Sequence, residues 1–402
     1  MRIAITGVGL VSALGPDWQS GSEALMAGRS GVGPVTLFAA EDFRTQIAAE
    51  AVLPAVPPPP GVEGRRWSRT DHLALGALRE AMIMAGVDEP TLRTARVGMA
   101  MGVGVSGLLR SENFFHEAKL KSLRRAPVDD ILSHYPCATT DRLASLLGIP
   151  AATWSVVNAC SSSTVAIGLA ALRISLGLDE IALAGGADTL CRITYAGFNI
   201  LRAVDPEPCR PFDAGRNGLT LGEGAAILVL ESEARARARG AKPLAYITGF
   251  GMSGDGHHPT APEPNGDGAI RATRAALAMS GLPPGAIEYV NAHGTATPQN
   301  DAMEVKALAA VFKDKRPPVS STKGAHGHCL GAAGAVEAAF TVAALTRQRL
   351  PPTLRFTAPD PGVEFDFIPR VSRAAAIGHA VSQSYGFGGN NAALVISHPD
   401  AV

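Results

Sequence analysis

Ile5-Thr6-Gly7-Val8-Gly9-Leu10-Val11, near the start of the chain, returns in its second half as Ile247-Thr248-Gly249-Phe250-Gly251-Met252-Ser253, identical at the first three positions and at the second glycine. The first copy reads as a buried strand, from Ile3, running into a glycine turn. It superficially resembles a dinucleotide fingerprint, but the third glycine and the later acidic residue are out of register. A second echo follows each copy: helix, glycine, strand at Leu78–Gly86 then Val97–Ala100, and again at Thr273–Gly281 then Tyr289–Ala292. A third is architectural: a glycine-rich segment followed by a buried Ala-rich helix, after Cys160 and at Gly331–Phe340. Strands alternating with helices in two related halves imply an α/β fold with helices between and outside two sheets. The boundary falls near residue 245, giving halves 1–245 and 246–402, with the insertions in the first.

Composition narrows the function. The 402 residues are 46% hydrophobic and carry 36 basic against 36 acidic side chains, so no global field draws the chain to nucleic acid or an anionic membrane. Five unpatterned cysteines, no signal peptide and no bilayer-length apolar run make the cytoplasm the expected compartment. Abundant Gly and Ala suit close helix–sheet packing. Further along, Pro54–Pro60 reads as an extended connection, and a helix over Leu73–Met84 is capped by Thr70 or Asp71.

The run Val156-Val157-Asn158-Ala159-Cys160-Ser161-Ser162-Ser163-Thr164 reads as a strand passing directly into an apolar helix, with Cys160 on its first turn. Unpaired N–H groups and the partial positive charge there favour thiolate, so Cys160 is a candidate nucleophile; a packed free cysteine fits that stretch equally well. His293 and His328 stand near equivalent strand ends, where side chains commonly enter a site. His326 and His328 could share a face toward a metal, but partners at standard spacing are missing. Glu337, on an apolar helix, needs a buried partner, and Lys323 is the natural one. Gly386-Phe387-Gly388-Gly389 is a glycine-rich turn whose backbone can approach a ligand and donate N–H groups.

Together these motifs resemble the elongating β-ketoacyl-[acyl-carrier-protein] synthases of the thiolase superfamily, in six segments from Ile5–Gly9 to Gly386–Asn391. The resemblance implies a thiolase-like five-layer αβαβα fold of two duplicated halves. It implies a Cys160-His293-His328 triad, an oxyanion hole from the backbone N–H groups of Cys160 and Phe387, and a supporting Lys323–Glu337 pair. Thr295 and Thr297 would line the phosphopantetheine channel, Phe387 would gate the acyl pocket, and Phe198 and Val105 would shape it. Asp301 and Glu304 match acidic positions of the family. Arg65, Arg66, Lys119, Lys121 and Arg124 fall where related enzymes dock an acidic carrier protein; taken as charges alone, Lys119, Lys121 and Arg124 read first as a solvated face.

The implied reaction is decarboxylative condensation of a Cys160-bound acyl group with malonyl-carrier, without metal or redox cofactor. The implied partners are an acyl carrier protein and a second copy of the chain, or a chain-length partner in a heterodimer. Departures surround the pocket: Asn158 for a usual Thr, Tyr385 for Phe, Asn390 for Thr and Asn217 for Asp. They leave chain length and pathway open. A non-catalytic chain-length subunit would lack the nucleophile, and a CoA-dependent thiolase or initiating synthase would carry Cys or Asn in place of one histidine.

Overall fold

The computed structural model describes residues 1–54, 67–149 and 152–402. The first half supplies strands β1 (Ile3–Val11), β2 (Val97–Gly102), β3 (Ala152–Val156), β4 (Ile181–Asp188) and β5 (Gly224–Ser232). The second supplies β6 (Ala245–Gly254), β7 (Tyr289–Asn291), β8 (Val319–Ser320), β9 (His379–Gly386) and β10 (Asn390–Ser397). Their order is β8-β7-β9-β10-β6-β1-β5-β4-β2-β3, a single ten-stranded sheet.

The duplication is visible in the pairing. In the first half β1–β5 and β5–β4 are antiparallel, while β4–β2 and β2–β3 are parallel. The second half repeats this as β6–β10 and β10–β9 antiparallel, β9–β7 and β7–β8 parallel. Two separate sheets were expected; they are joined where β1 meets β6, at Ile3–Ile247, Ala4–Tyr246 and Ile5–Ala245.

The principal helices are α1 (Arg69–Ala85), α2 (Ala138–Leu147), α3 (Ser162–Ser175), α4 (Asp267–Ser280), α5 (Pro298–Phe312) and α6 (Ala333–Arg347). Helices α3 and α6 pack on each other and on strands of both halves, α1 and α2 lie on the first half's other face, and α4, backed by α5, lies on the second's. The layers are thus α, β, α, β, α. Every residue of α6 from Ala333 to Leu345 is buried, as its apolar circumference demands. Among the described residues no helix is long and apolar enough to cross a membrane.

The repeated glycines lie within β1 and β6 rather than in turns. A Cβ at Gly7 or Gly9 would come 2.1 Å from Ala81 O or 1.8 Å from Ala77 O of α1. At Gly249 and Gly251 it would come 2.1 Å from Ala276 O and Ala272 O of α4. Both halves therefore use Gly-x-Gly to press a helix backbone directly onto a strand. Gly251→Ala should lower unfolding free energy by about 1–3 kcal/mol, read from urea denaturation, because a backbone carbonyl cannot move aside as a side chain can.

Helix α1 starts earlier than expected. Ser68 is its N-cap, and Asp71 closes a capping box by accepting Ser68 N–H at 2.6 Å. Thr70 instead donates to Ser106 O. Arg65, Arg66 and most of the proline run lie outside the described residues. Lys119, Lys121 and Arg124 are exposed around the end of a helix at Leu108–Leu120, and Lys121 pairs with Glu117.

Candidate active site

The strand does not run straight into the helix at Cys160. Cys160 precedes the N-cap Ser161, and Ala159 takes a φ of 49°. Side chains close this corner: Asn158 N–H donates to Ser162 Oγ (2.7 Å), and Ser162 and Ser161 donate to Ala159 O (2.6 Å) and Asn158 O (2.9 Å). That geometry seats a buried thiol against the turn after β9. The backbone N–H groups of Phe387 and of Cys160 itself act on the sulfur, both favouring its anion.

They do not make it a thiolate at rest. Burial pushes the Cys160 thiol up to about 11, outweighing the pull of Lys323 and the two N–H groups. Helix position alone had suggested the opposite, because desolvation is invisible in sequence. The rate of Cys160 alkylation by iodoacetamide should therefore climb about tenfold per pH unit from pH 7 to 10. A plateau below pH 8 would contradict a buried, protonated thiol.

His293 lies just past β7 and His328 just before α6, 2% and 1% exposed. Their rings meet edge to face with centroids 5.4 Å apart. Lys323 Nζ donates to His293 Nδ1 (3.2 Å), and Leu330 N–H donates to His328 Nδ1 (3.1 Å). With each Nδ1 acting as acceptor, Nε2 of each ring carries the proton. Burial first, then the Lys323 charge, holds both imidazoles well below their usual pKa, so they are neutral donors.

Cys160 Sγ and one ring nitrogen from each histidine lie within 4.8 Å of one another. The set has a soft metal's donor types, but a protonated Nε2 offers no lone pair. His326 does not join His328: it contacts Thr322 Oγ1 (2.9 Å) and stacks near Phe340, away from the cavity.

Lys323 and Glu337 form the expected buried ion pair, and Nζ also donates to His293 O at 2.5 Å. The pair thus grips a histidine as well as balancing charge. Glu304 accepts the N–H groups of His293 and Gly294, each at 2.7 Å, and Asp301 accepts those of Ala296 (3.1 Å) and Phe212 (2.7 Å). Asn300 donates to both acids. This cradle fixes the turn that carries Thr295 and Thr297, whose hydroxyls are 2.9 Å apart.

A cavity of about 320 Å³ is lined by Cys160, His293, His328, Thr295, Thr297, Phe198 and Phe387, among others. Phe198 and Phe387 stack on each other in its wall, with ring centroids 5.5 Å apart. Val105 does not line this cavity; it packs behind it, in a cluster with Phe198, Leu190, Tyr195 and Leu330. Lys119, Lys121 and Arg124 are also absent from the lining. In the turn after β9, Gly388 and Gly389 have φ of 78° and 72°, the left-handed region that favours glycine. Asn390 holds the turn by donating to Phe387 O (2.9 Å).

Sequence reading missed Asp255, which lines the cavity, donates its N–H to Gly389 O (2.9 Å) and accepts from Asn391 Nδ2 (2.6 Å). Its place between two glycines at the end of the repeated strand was the available signal.

Family models match most of the chain: the β-ketoacyl synthase N-terminal domain over residues 1–236 and the C-terminal domain over 244–357. The chain is 35% identical to 3-oxoacyl-[acyl-carrier-protein] synthase 2 of Staphylococcus aureus (strain MRSA252), covering 100% of this chain and 99% of that protein. Among solved structures it resembles the ishigamide ketosynthase/chain length factor, with a TM-score of 0.93, 32% identity and 99% of each chain covered. It also resembles AntDE:AntF, a type II polyketide synthase acyl-carrier protein in complex with its ketosynthase bound to the hexaketide, with a TM-score of 0.90, 25% identity and 99% of each chain covered. Full-length matches on both halves, around a site that unites Cys160, His293 and His328, place this chain in the β-ketoacyl synthase family.

Proposed function

We propose that the protein elongates fatty-acid or polyketide chains by decarboxylative condensation, with Cys160 as nucleophile and His293 and His328 as enolate-stabilising donors. The observation that carries this reading is the pair of neutral imidazoles whose Nδ1 atoms are both occupied, leaving two Nε2–H donors beside a buried thiol. Cys160 sulfur attacks the thioester carbonyl of an acyl-carrier, and the N–H groups of Cys160 and Phe387 stabilise the tetrahedral oxyanion. The thiol proton goes to the departing pantetheine sulfur, so no net base is consumed.

Malonyl-carrier then binds, and its thioester carbonyl accepts from the two histidines. The C–CO₂ bond breaks, CO₂ leaves, and its electron pair becomes an enolate held by those donors. The enolate carbon attacks the acyl carbonyl, the C–S bond to Cys160 breaks, and one proton from solvent restores the thiol. No metal or redox cofactor enters this balance. Thr295 and Thr297 line the pantetheine path, while Phe387, stacked on Phe198, gates the acyl pocket. Val105 backs the pocket wall.

In this reading an acyl carrier protein docks on the basic positions Arg65, Arg66, Lys119, Lys121 and Arg124, and the chain dimerises with a second copy or a chain-length partner. The two halves, 1–245 and 246–402, each bring part of the triad. The five cysteines are free thiols, which suits a reducing cytoplasm. His328→Ala should slow malonyl-carrier decarboxylation roughly a hundredfold while leaving Cys160 open to acylation, as followed by intact-protein mass. Unchanged decarboxylation would remove the two-donor model.

A further inference from the structure

Asp188, the last residue of β4, is fully buried and belongs to neither the triad nor the acidic cradle. Its carboxylate accepts backbone N–H groups from Gly104 (2.6 Å), Val105 (2.9 Å), Ser106 (2.9 Å) and Gly331 (2.7 Å). The first three belong to the loop after β2, and the last to the turn that enters α6 in the other half. One carboxylate thus joins the two halves three residues from His328. Glycine is needed where it grips: a Cβ at Gly104 or Gly331 would lie 2.6 Å or 2.7 Å from Asp188 Oδ2.

What it grips matters for the chemistry. Leu330 precedes Gly331, has a φ of 51°, and supplies the N–H that occupies His328 Nδ1. Its side chain packs in the same apolar cluster as Val105 and Phe198. A left-handed leucine is uncommon backbone and persists only where surroundings hold it. The bond from Gly331 to Asp188 is such a restraint, one peptide beyond the N–H that sets the imidazole.

We infer that Asp188 is a positioning residue for His328: by anchoring Gly331 it holds Leu330 N–H on Nδ1, and by anchoring Val105 it ties that histidine to the acyl-pocket wall. This rests on the ketosynthase reading and adds to it a control on the decarboxylation step, exerted from the opposite half of the molecule. Asp188→Asn keeps size but turns an amide N–H toward backbone donors. The Leu330 turn should then relax, and His328 should sample the Nδ1–H tautomer.

The test measures three quantities on wild type and Asp188→Asn: acylation of Cys160 by a short acyl-carrier, kcat and KM for malonyl-carrier decarboxylation, and the ¹⁵N ring signals of His328. The expected result is a roughly ten- to hundredfold fall in decarboxylation kcat, little change in KM or acylation, and a ring signal shifted toward Nδ1–H. A folded variant with wild-type kcat and ring signals overturns the inference, as does an equal fall in acylation and decarboxylation without a ring shift. Should Asp188→Asn not fold, Gly104→Ala, which displaces the carboxylate without removing it, is held to the same outcomes. A wild-type enzyme that neither acylates nor decarboxylates would instead overturn the ketosynthase reading itself.

Discussion

Cys160→Ala should acquire no acyl group from acyl-carrier and should condense about 10⁴-fold or more slowly than wild type, because the proposed nucleophile is removed outright. The variant should still fold. Cys160 sits at a cavity wall, so trimming its sulfur enlarges an existing space instead of opening a void in the core. It should also still decarboxylate malonyl-carrier, since His293 and His328 keep their hydrogen bonds to Lys323 and Leu330. Intact-protein mass reads the first effect, and release of CO₂ without chain extension reads the second. An alanine variant acylated as readily as wild type would locate the nucleophile elsewhere.

Lys323→Met should be the most destabilising single change in the site. Lys323 and Glu337 are 1% and 0% exposed, so removing the cation strands a buried carboxylate whose second oxygen, Oε2, already lacks a hydrogen-bond partner. The expected cost is about 3–5 kcal/mol in urea denaturation. The same change frees His293 Nδ1 and His293 O, so decarboxylation should fall further than stability alone explains. Lys323→Met with Glu337→Leu separates these roles. Replacing both charges should recover most of the stability while leaving decarboxylation impaired, because no donor returns to His293. Recovery of both would reduce the pair to a structural one.

How much of this was legible in the sequence depends on the kind of interaction. The duplicated halves were readable because close helix–strand contact demands glycine, and Gly7, Gly9, Gly249 and Gly251 answer that demand in both copies. The joining of β1 to β6 was not, since its backbone pairs leave no side-chain signature. His293 and His328 were readable as candidates from their places near strand ends, their grouping with Cys160 came only from the family resemblance, and the partnership of Lys323 with Glu337 followed from the cost of a lone carboxylate on an apolar helix.

The electrostatic state of Cys160 was misread, because the helix start is local while the burial that overrides it is global. Asp188 and Asp255 escaped notice for a related reason: the carboxylate of the first and the N–H of the second meet backbone atoms, and any sequence can offer an N–H or a carbonyl. The tautomers of His293 and His328 depend on a lysine thirty residues from one ring and a left-handed leucine beside the other, geometry that only folding creates.

The most direct test of the account is a single turnover of enzyme carrying an acyl group on Cys160, mixed with malonyl-carrier labelled with ¹³C in its free carboxylate. The label should leave entirely as CO₂ as the acyl mass disappears from Cys160 and reappears, extended by two carbons and unlabelled, on the carrier. Label retained in the extended product, or loss of the acyl group from Cys160 without extension of the carrier-bound chain, would contradict it.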